Sequence, residues 1–405
     1  MKIGVLDDDS RKRNSFEEKI KAVVPKEFSI IKIEPQAIKG IFSELLERQS
    51  EFRTKGTWRN YKTTEFDDLD ILIVDNELRD FFKETGIFTS ADEVAYMARC
   101  FSKCKMIIIV NRTSYAPFDL TGNLSYLGQF EAFSDLEIGE DQIGSKVLWL
   151  EGEREEFNPW YWFVLPKWVQ NFKRCIQDVK DALHDNRPIL EFFGIEKQKD
   201  YLSTRILQTL GDANEYTFGE FLRTRSFVLW PKDREILIKS ETLEPEMIEV
   251  LAPVVAARLW KWLEFQLLPE LDVLIDAPHL AYRFPSLIEG DSKKIETWNA
   301  IAVRHVDEVP NLKQSWLENA KFIRPHWLTR PVWYWHEVSN NQDIPDVSKP
   351  WEINEAPFVF CEDISQFSIR EKSRRYRANV DSPFSLRFIR KLQGIDYIPP
   401  QRLAL

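Results

Sequence analysis

The sequence predicts an α/β protein, with an N-terminal doubly wound parallel five-stranded sheet followed by a larger mixed α+β, aromatic-rich domain. Three observations carry this. Apolar strand-like runs alternate with helical periodicities through the first third of the chain, the pattern of βαβ units with right-handed crossovers. Several of those runs are apolar without a break, as strands covered on both faces require. Finally, 13 of the 14 tryptophans lie between Trp149 and Trp351, so the chain changes character near residue 149. A length of 405 residues fits two or three domains. The expected division is 1–148 for the sheet, 149–187 for a connecting helix, and 188–405 for an output or partner-binding domain with a basic last segment, 366–405.

Ile3-Gly4-Val5-Leu6 opens the sheet and runs into Asp7-Asp8-Asp9. Phe16, Ile20 and Val24 then recur every four residues, one face of a helix. Asp9 or Ser10 would cap it, because a side-chain oxygen there accepts a free first-turn N–H. Phe28–Ile33 reads as the second strand, and residues 36–52 as a helix with Ile38, Phe42, Leu45 and Leu46 on one face. Asp70–Asp75 is the third strand, Val94, Met97 and Phe101 mark another helix, Met106–Val110 is the fourth strand, and Phe133–Ile138 holds the fifth. Beyond it, Trp168, Phe172, Ile176, Val179 and Leu183 mark a helix ending near His184. Tyr201–Arg225 reads as two helices about Gly211, and Leu243–Leu268 as a helix kinked at Pro253. Leu271–Asp276 and Phe358–Cys361 read as strands followed or ended by acids.

In parallel sheets, ligands sit beyond the carboxyl ends of the strands. Asp7, Asp8 and Asp75 all stand there, so the topology itself would gather three carboxylates. Their mutual repulsion calls for a hard divalent cation such as Mg²⁺.

Composition narrows the class. With 55 Lys+Arg against 65 Asp+Glu, the net charge is −10, so the overall field does not hold the chain to nucleic acid. Four cysteines do not make a disulfide scaffold. The first residues lack the apolar core of a signal peptide, and no run of about 18 apolar residues occurs, so no membrane partner and a cytoplasmic location are expected.

The runs "IGVLDDD", "DILIVDNEL" and "KMIIIVN" resemble the first, third and fourth strands of the receiver domain of response regulators, over roughly residues 1–148. The resemblance implies a phosphorelay function in signal transduction. Asp75 would be the phosphoacceptor, Asp7 and Asp8 the acidic pair, and Asp8, the Asp75 carboxylate and the Glu77 main-chain carbonyl the Mg²⁺ site. An aspartyl phosphate there would bias a two-state surface. The chain also departs from the family. The switch hydroxyl falls at Asn111, with Thr113 and Ser114 two and three residues later. The lysine after strand five falls near Glu137, with only Lys146 downstream, and the stretch from Glu34 to Leu69 is longer than the family norm. An atypical or degenerate receiver domain is the expectation.

Other motifs are less specific. Gly139 to Lys146 approaches a nucleotide-binding loop, but its Ser145-Lys146 order is reversed and Glu140 and Asp141 oppose a phosphate, so a surface loop is expected. Cys100 and Cys104 read as buried small hydrophobes. The two helices about Gly211 read as plain packing; as a helix-turn-helix they would offer Arg223 and Arg225 to DNA. Asp276 beside His279 invites an acid–base reading, against a plain capped turn. Arg330 to His336 has the separation of some helical ribonuclease motifs, and Glu362 and Asp363 are candidate nuclease carboxylates. Arg374, Arg375, Arg377 and Arg390, with Tyr376 and Phe388 among them, suit a nucleic acid or, in so acidic a chain, an acidic protein surface, its own middle included. The function expected is that of a signalling or regulatory protein, rather than an enzyme, whose receiver-like domain controls a large interaction domain with a protein partner. The alternative is an effector nuclease or nucleic-acid-binding protein regulated by that domain.

Overall fold

Every apolar run of the first third becomes a strand of one parallel sheet. In the computed structural model, β1 (Lys2–Leu6), β2 (Ser29–Ile33), β3 (Ile71–Asp75), β4 (Met106–Asn111) and β5 (Leu136–Gly139) lie in the order β2-β1-β3-β4-β5. The residues described are 1–58, 62–78, 90–111, 133–211, 215–224, 228–240, 242–304, 306, 308–345, 357–377, 386–393, 395 and 397. Ile3 stands opposite Ile30 on one side and Ile71 on the other, and Ile73 opposite Ile108. The chain places β2 on one flank of β1 and β3 on the other, so the topological switch point lies between β1 and β3. All residues of β3 and β4 are buried, which explains their unbroken apolar runs.

Among the described residues, three helices connect these strands: α1 (Ser10–Lys21), α2 (Pro35–Lys55) and α3 (Ala91–Phe101). The Asp9 side chain caps α1 by accepting from Arg11 N, and Phe16 and Ile20 are buried. The helix stops at Lys21, so Val24, expected on the same face, lies beyond its end. Gly56 ends α2 with φ of 72°, and a Cβ there would lie 1.8 Å from Met247 Cε. Left-handed backbone and close approach both require glycine.

The chain forms two compact units. One comprises Met1–Glu153, Val164–Pro188 and Leu210–Lys261, the other Arg154–Phe163, Ile189–Thr209 and Trp262–Leu405. These units differ from the linear division at 148 and 187. The physical reason is visible inside the first unit, which adds α4 (Leu165–His184), α5 (Phe218–Thr224), α6 (Pro231–Lys239) and most of α7 (Pro245–Trp262) to the sheet. Asp233 of α6 is wholly buried and accepts from Gln49 Nε2 at 2.8 Å, from Arg53 Nε and from Tyr96 OH. Trp230 stacks on Tyr96, with ring centroids 3.8 Å apart. A buried carboxylate needs such partners, and here they come from α2 and α3. The α-helix expected to run to Leu268 ends at Trp262 and continues as a π turn, Leu263–Leu267.

In the second unit, β6 (Leu274–Asp276) pairs antiparallel with β7 (Val332–Tyr334), and α8 (Ala277–Arg283) follows β6 directly. A mixed sheet runs in the order β10-β11-β8-β9, from β8 (Phe358–Cys361), β9 (Gln366–Ile369), β10 (Arg374–Arg377) and β11 (Leu386–Ile389). The basic segment thus supplies three strands, β9, β10 and β11. The strand expected from Leu271 begins at Leu274, because Leu271 itself takes a φ of 56°. Of the two helices expected between Tyr201 and Arg225, Thr204–Leu210 and Phe218–Thr224 form, and they are divided between the two units. Trp160, Trp162, Trp298, Trp327 and Trp333 are buried here, so the tryptophan enrichment builds a core. Among the described residues, no helix is long and apolar enough to cross a membrane.

Asp233→Asn is expected to destabilise the N-terminal sheet by about 2–3 kcal/mol, since hydrogen bonds to a buried charge are lost. Amide exchange in β3 and β4 checks this. Unchanged protection there would mean that α6 is not part of the sheet's cooperative unit.

Candidate functional site

The site starts from strand register. Leu6 of β1 faces Val74 of β3, so the next residues, Asp7 and Asp75, reach the same rim of the sheet at the switch point. Asp7 and Asp75 are wholly buried and Asp8 is half-buried. One carboxylate oxygen from each of Asp7, Asp8 and Asp75 lies within 4.8 Å of the others. The three aspartates expected to converge therefore do.

The surrounding chain holds this cluster in place. Asp7 Oδ1 accepts from Asp9 N at 2.8 Å, while Arg13 Nη1 donates to Asp7 O and Nη2 to Glu34 Oε2. Arg13 is buried, which pins the turn between β1 and α1. Lys12, in the first turn of α1, places Nζ 3.9 Å from Asp75 Oδ2. Sequence reasoning missed Lys12; the only signal was a basic run, Arg11-Lys12-Arg13, directly after the acidic one. Three carboxylates within reach of one another are an acidic donor set that suits a divalent cation. Carboxylate oxygens are also the hard donors that Mg²⁺ takes. The residues fit such an ion.

Glu77 lies half-buried two residues past the end of β3, and Asn111 is the last residue of β4, opposite Gly139. Thr113 and Ser114 lie outside the described residues. Glu137 sits within β5, and Lys146 is exposed at the start of a 3₁₀ turn. Glu140 and Asp141 of the near-miss phosphate loop face Lys19, at 3.5 and 3.4 Å. Cys100 and Cys104 are buried, and burial pushes the Cys104 thiol up to about 12.

Candidates in the second half are mostly engaged internally. His279 is buried; its Nδ1 lies on Asp276 Oδ1 and its Nε2 is 3.2 Å from Glu362 Oε1. Asp276 also caps α8, so the capped turn with a bonded histidine is what forms. Arg330 pairs with Glu264 while His336 contacts Asn340, and among the described residues the two do not share a partner. Glu362 is clamped by Arg387, and Asp363 accepts from Arg390 N and Lys391 N at 2.8 and 2.9 Å. Arg374 and Arg375 are exposed, Arg390 donates to Ser368 Oγ, and the Arg377 side chain and Arg225 lie outside the described residues. Arg223 is half-buried and donates to Leu237 O.

Burial opposes the charged forms of both Asp276 and His279, and their pairing outweighs it. His279, Arg330 and the Trp160 N–H bring Asp276 down to about 2. Asp276 and Glu362 hold the His279 imidazolium above its ordinary 6.5. The aspartate's contribution to stability is present above its ordinary pKa and lost as pH falls through about 2. The histidine's is present below pH 6.5 and lost as pH rises through the raised value.

Urea midpoints measured from about pH 5 to about pH 9 should therefore fall on the alkaline side, and His279→Gln should flatten that limb; an unchanged limb would assign it to another group. At the acidic rim, Mn²⁺ titrated by electron paramagnetic resonance should bind one site. Asp8→Ala should weaken it roughly tenfold, and Lys12→Met should tighten it roughly fivefold by removing a repelling charge of about 1 kcal/mol. Equal affinity in all three proteins would place the ion elsewhere. No protein-family model, no curated protein and no solved structure matches the chain, so the assignment of this rim rests on its own geometry.

Proposed function

We propose that the N-terminal sheet is an atypical receiver domain that accepts a phosphoryl group on Asp75 and thereby regulates the interactions of the second unit with a protein partner. The observation that carries this reading is the meeting of Asp7, Asp8 and Asp75 at the β1/β3 switch point of a sheet ordered β2-β1-β3-β4-β5. In the reaction, an Asp75 carboxylate oxygen attacks the phosphorus of an acyl phosphate in line; the donor's P–O bond breaks and its carboxylate leaves. A divalent cation bound by Asp8 and Asp75, with the Glu77 carbonyl, would neutralise charge on the transferring oxygens. Asp7 steadies the turn through Asp9 N. Lys12 brings an ammonium to Asp75 from α1, where the family draws one from beyond the fifth strand.

Asn111 at the switch position puts no hydroxyl there, so the readout would differ from that of the family. Added charge at Asp75 would act first on Lys12 and, through α1, on the Lys19 contacts with Glu140 and Asp141 after β5.

Incubation with acetyl phosphate and Mg²⁺ should add one phosphoryl group to the wild type and none to Asp75→Asn, read by intact mass. Equal labelling of the two proteins, or none of the wild type, would refute the acceptor assignment.

A further inference from the structure

Three segments singled out on sequence grounds, at Asp276 and His279, at Arg330 and at Glu362, converge on the Trp160-Tyr161 pair inside the second unit. Trp160 Nε1 donates to Asp276 Oδ2 at 2.7 Å, and His279 joins Asp276 to Glu362. Arg330 and Arg387 flank Tyr161, their guanidinium carbons 4.6 and 5.4 Å from its ring centroid. Each arginine is held by the same edge. In Arg330, Nε and Nη2 donate to Thr329 Oγ1 at 3.3 and 2.9 Å, and Nη2 also donates to Glu264 Oε1. In Arg387, Nε and Nη2 donate to the two oxygens of Glu362. Glu264 with the Thr329 hydroxyl fixes one guanidinium plane and Glu362 the other, and both Nη1 atoms stay outside these pairings.

Those two Nη1 atoms and the Tyr161 OH are buried and, among the described residues, have no hydrogen-bond partner, in residues only 3%, 4% and 1% exposed. All three are donors. Two fixed guanidinium groups, each with its Nη1 left over, beside a phenol make a donor set that a tetrahedral oxyanion satisfies, since its oxygens accept from several directions at once. Charge agrees. Arg304, beside Trp160, is held by the Asn158 and Pro159 carbonyls and by Ser365. With Arg330, Arg387 and a His279 imidazolium, it sets four positive charges against Asp276, Glu264 and Glu362.

We propose that Tyr161, Arg330 and Arg387 form a binding site in the second unit for a phosphate-class oxyanion, either free phosphate or the phosphate of a small monoester. The site is independent of Asp75. Calorimetric titration of the full chain with inorganic phosphate, divalent cations removed by a chelator and ionic strength held constant, should show one saturable site. Tyr161→Phe keeps the ring and removes only the O–H; it should weaken binding roughly tenfold without lowering the phosphate-free melting temperature. Arg330→Lys keeps a cation against Glu264 but removes the Nη1 donor, and should weaken binding comparably if the first variant fails to fold. Phenyl phosphate binding as tightly as phosphate would identify a monoester site, and phosphate binding alone a free-anion site. No saturable heat in the wild type, or unchanged affinity in the variants, overturns the proposal.

Discussion

Crowding of like charges at the rim between β1 and β3 is the constraint on which the first unit depends. Parallel pairing in the register Leu6 to Val74 leaves Asp7 and Asp75 no choice but to share one edge. Carboxylates within 4.8 Å repel by on the order of 3 kcal/mol per pair at an effective dielectric near 20. The neighbourhood answers locally: Asp7 draws on Asp9 N, Arg13 locks the turn, and Lys12 leans onto Asp75. An arrangement that concentrates charge in this way responds to whatever cation or anion arrives there.

The second unit meets the opposite problem, charges enclosed in an aromatic core. Glu264, Asp276 and Glu362 are wholly buried, and each faces Arg330, His279 or Arg387. Tyr161 and Trp160 lie against the guanidinium groups, where an aromatic face tolerates a partly desolvated cation. The basic segment that reads as a tail is drawn inward by this demand. Arg387 becomes the counter-ion of Glu362, and the backbone at Arg390 and Lys391 holds Asp363.

What the sequence disclosed, and what it hid, follows from the range of each interaction. β1, β3 and β4 were legible because burial on both faces writes a continuous apolar run, and the acidic rim because strand ends in a parallel sheet share one side. Lys12 was not, since its reach to Asp75 depends on where the helix starts and how its first turn is phased. β10, four residues of which three are arginine, carries no alternation to announce a strand; its pairing with β11 sets it. The convergence of His279 and Glu362 spans 83 residues and leaves no local trace. The same holds for Asp233, whose partners in α2 and α3 lie 137 to 184 residues away.

That distance has a consequence for biosynthesis. The last strand of the first sheet is complete at Gly139, yet the carboxylate that engages Gln49, Arg53 and Tyr96 is encoded about 90 residues later. At roughly 5–20 residues per second of translation, the nascent α2–α3 surface waits on the order of 5–20 s for its closing helix. During that interval the ribosome-bound chain presents Tyr96 and its aromatic neighbours to chaperones, and the elongation rate between Gly139 and Asp233 sets how long they stay uncovered.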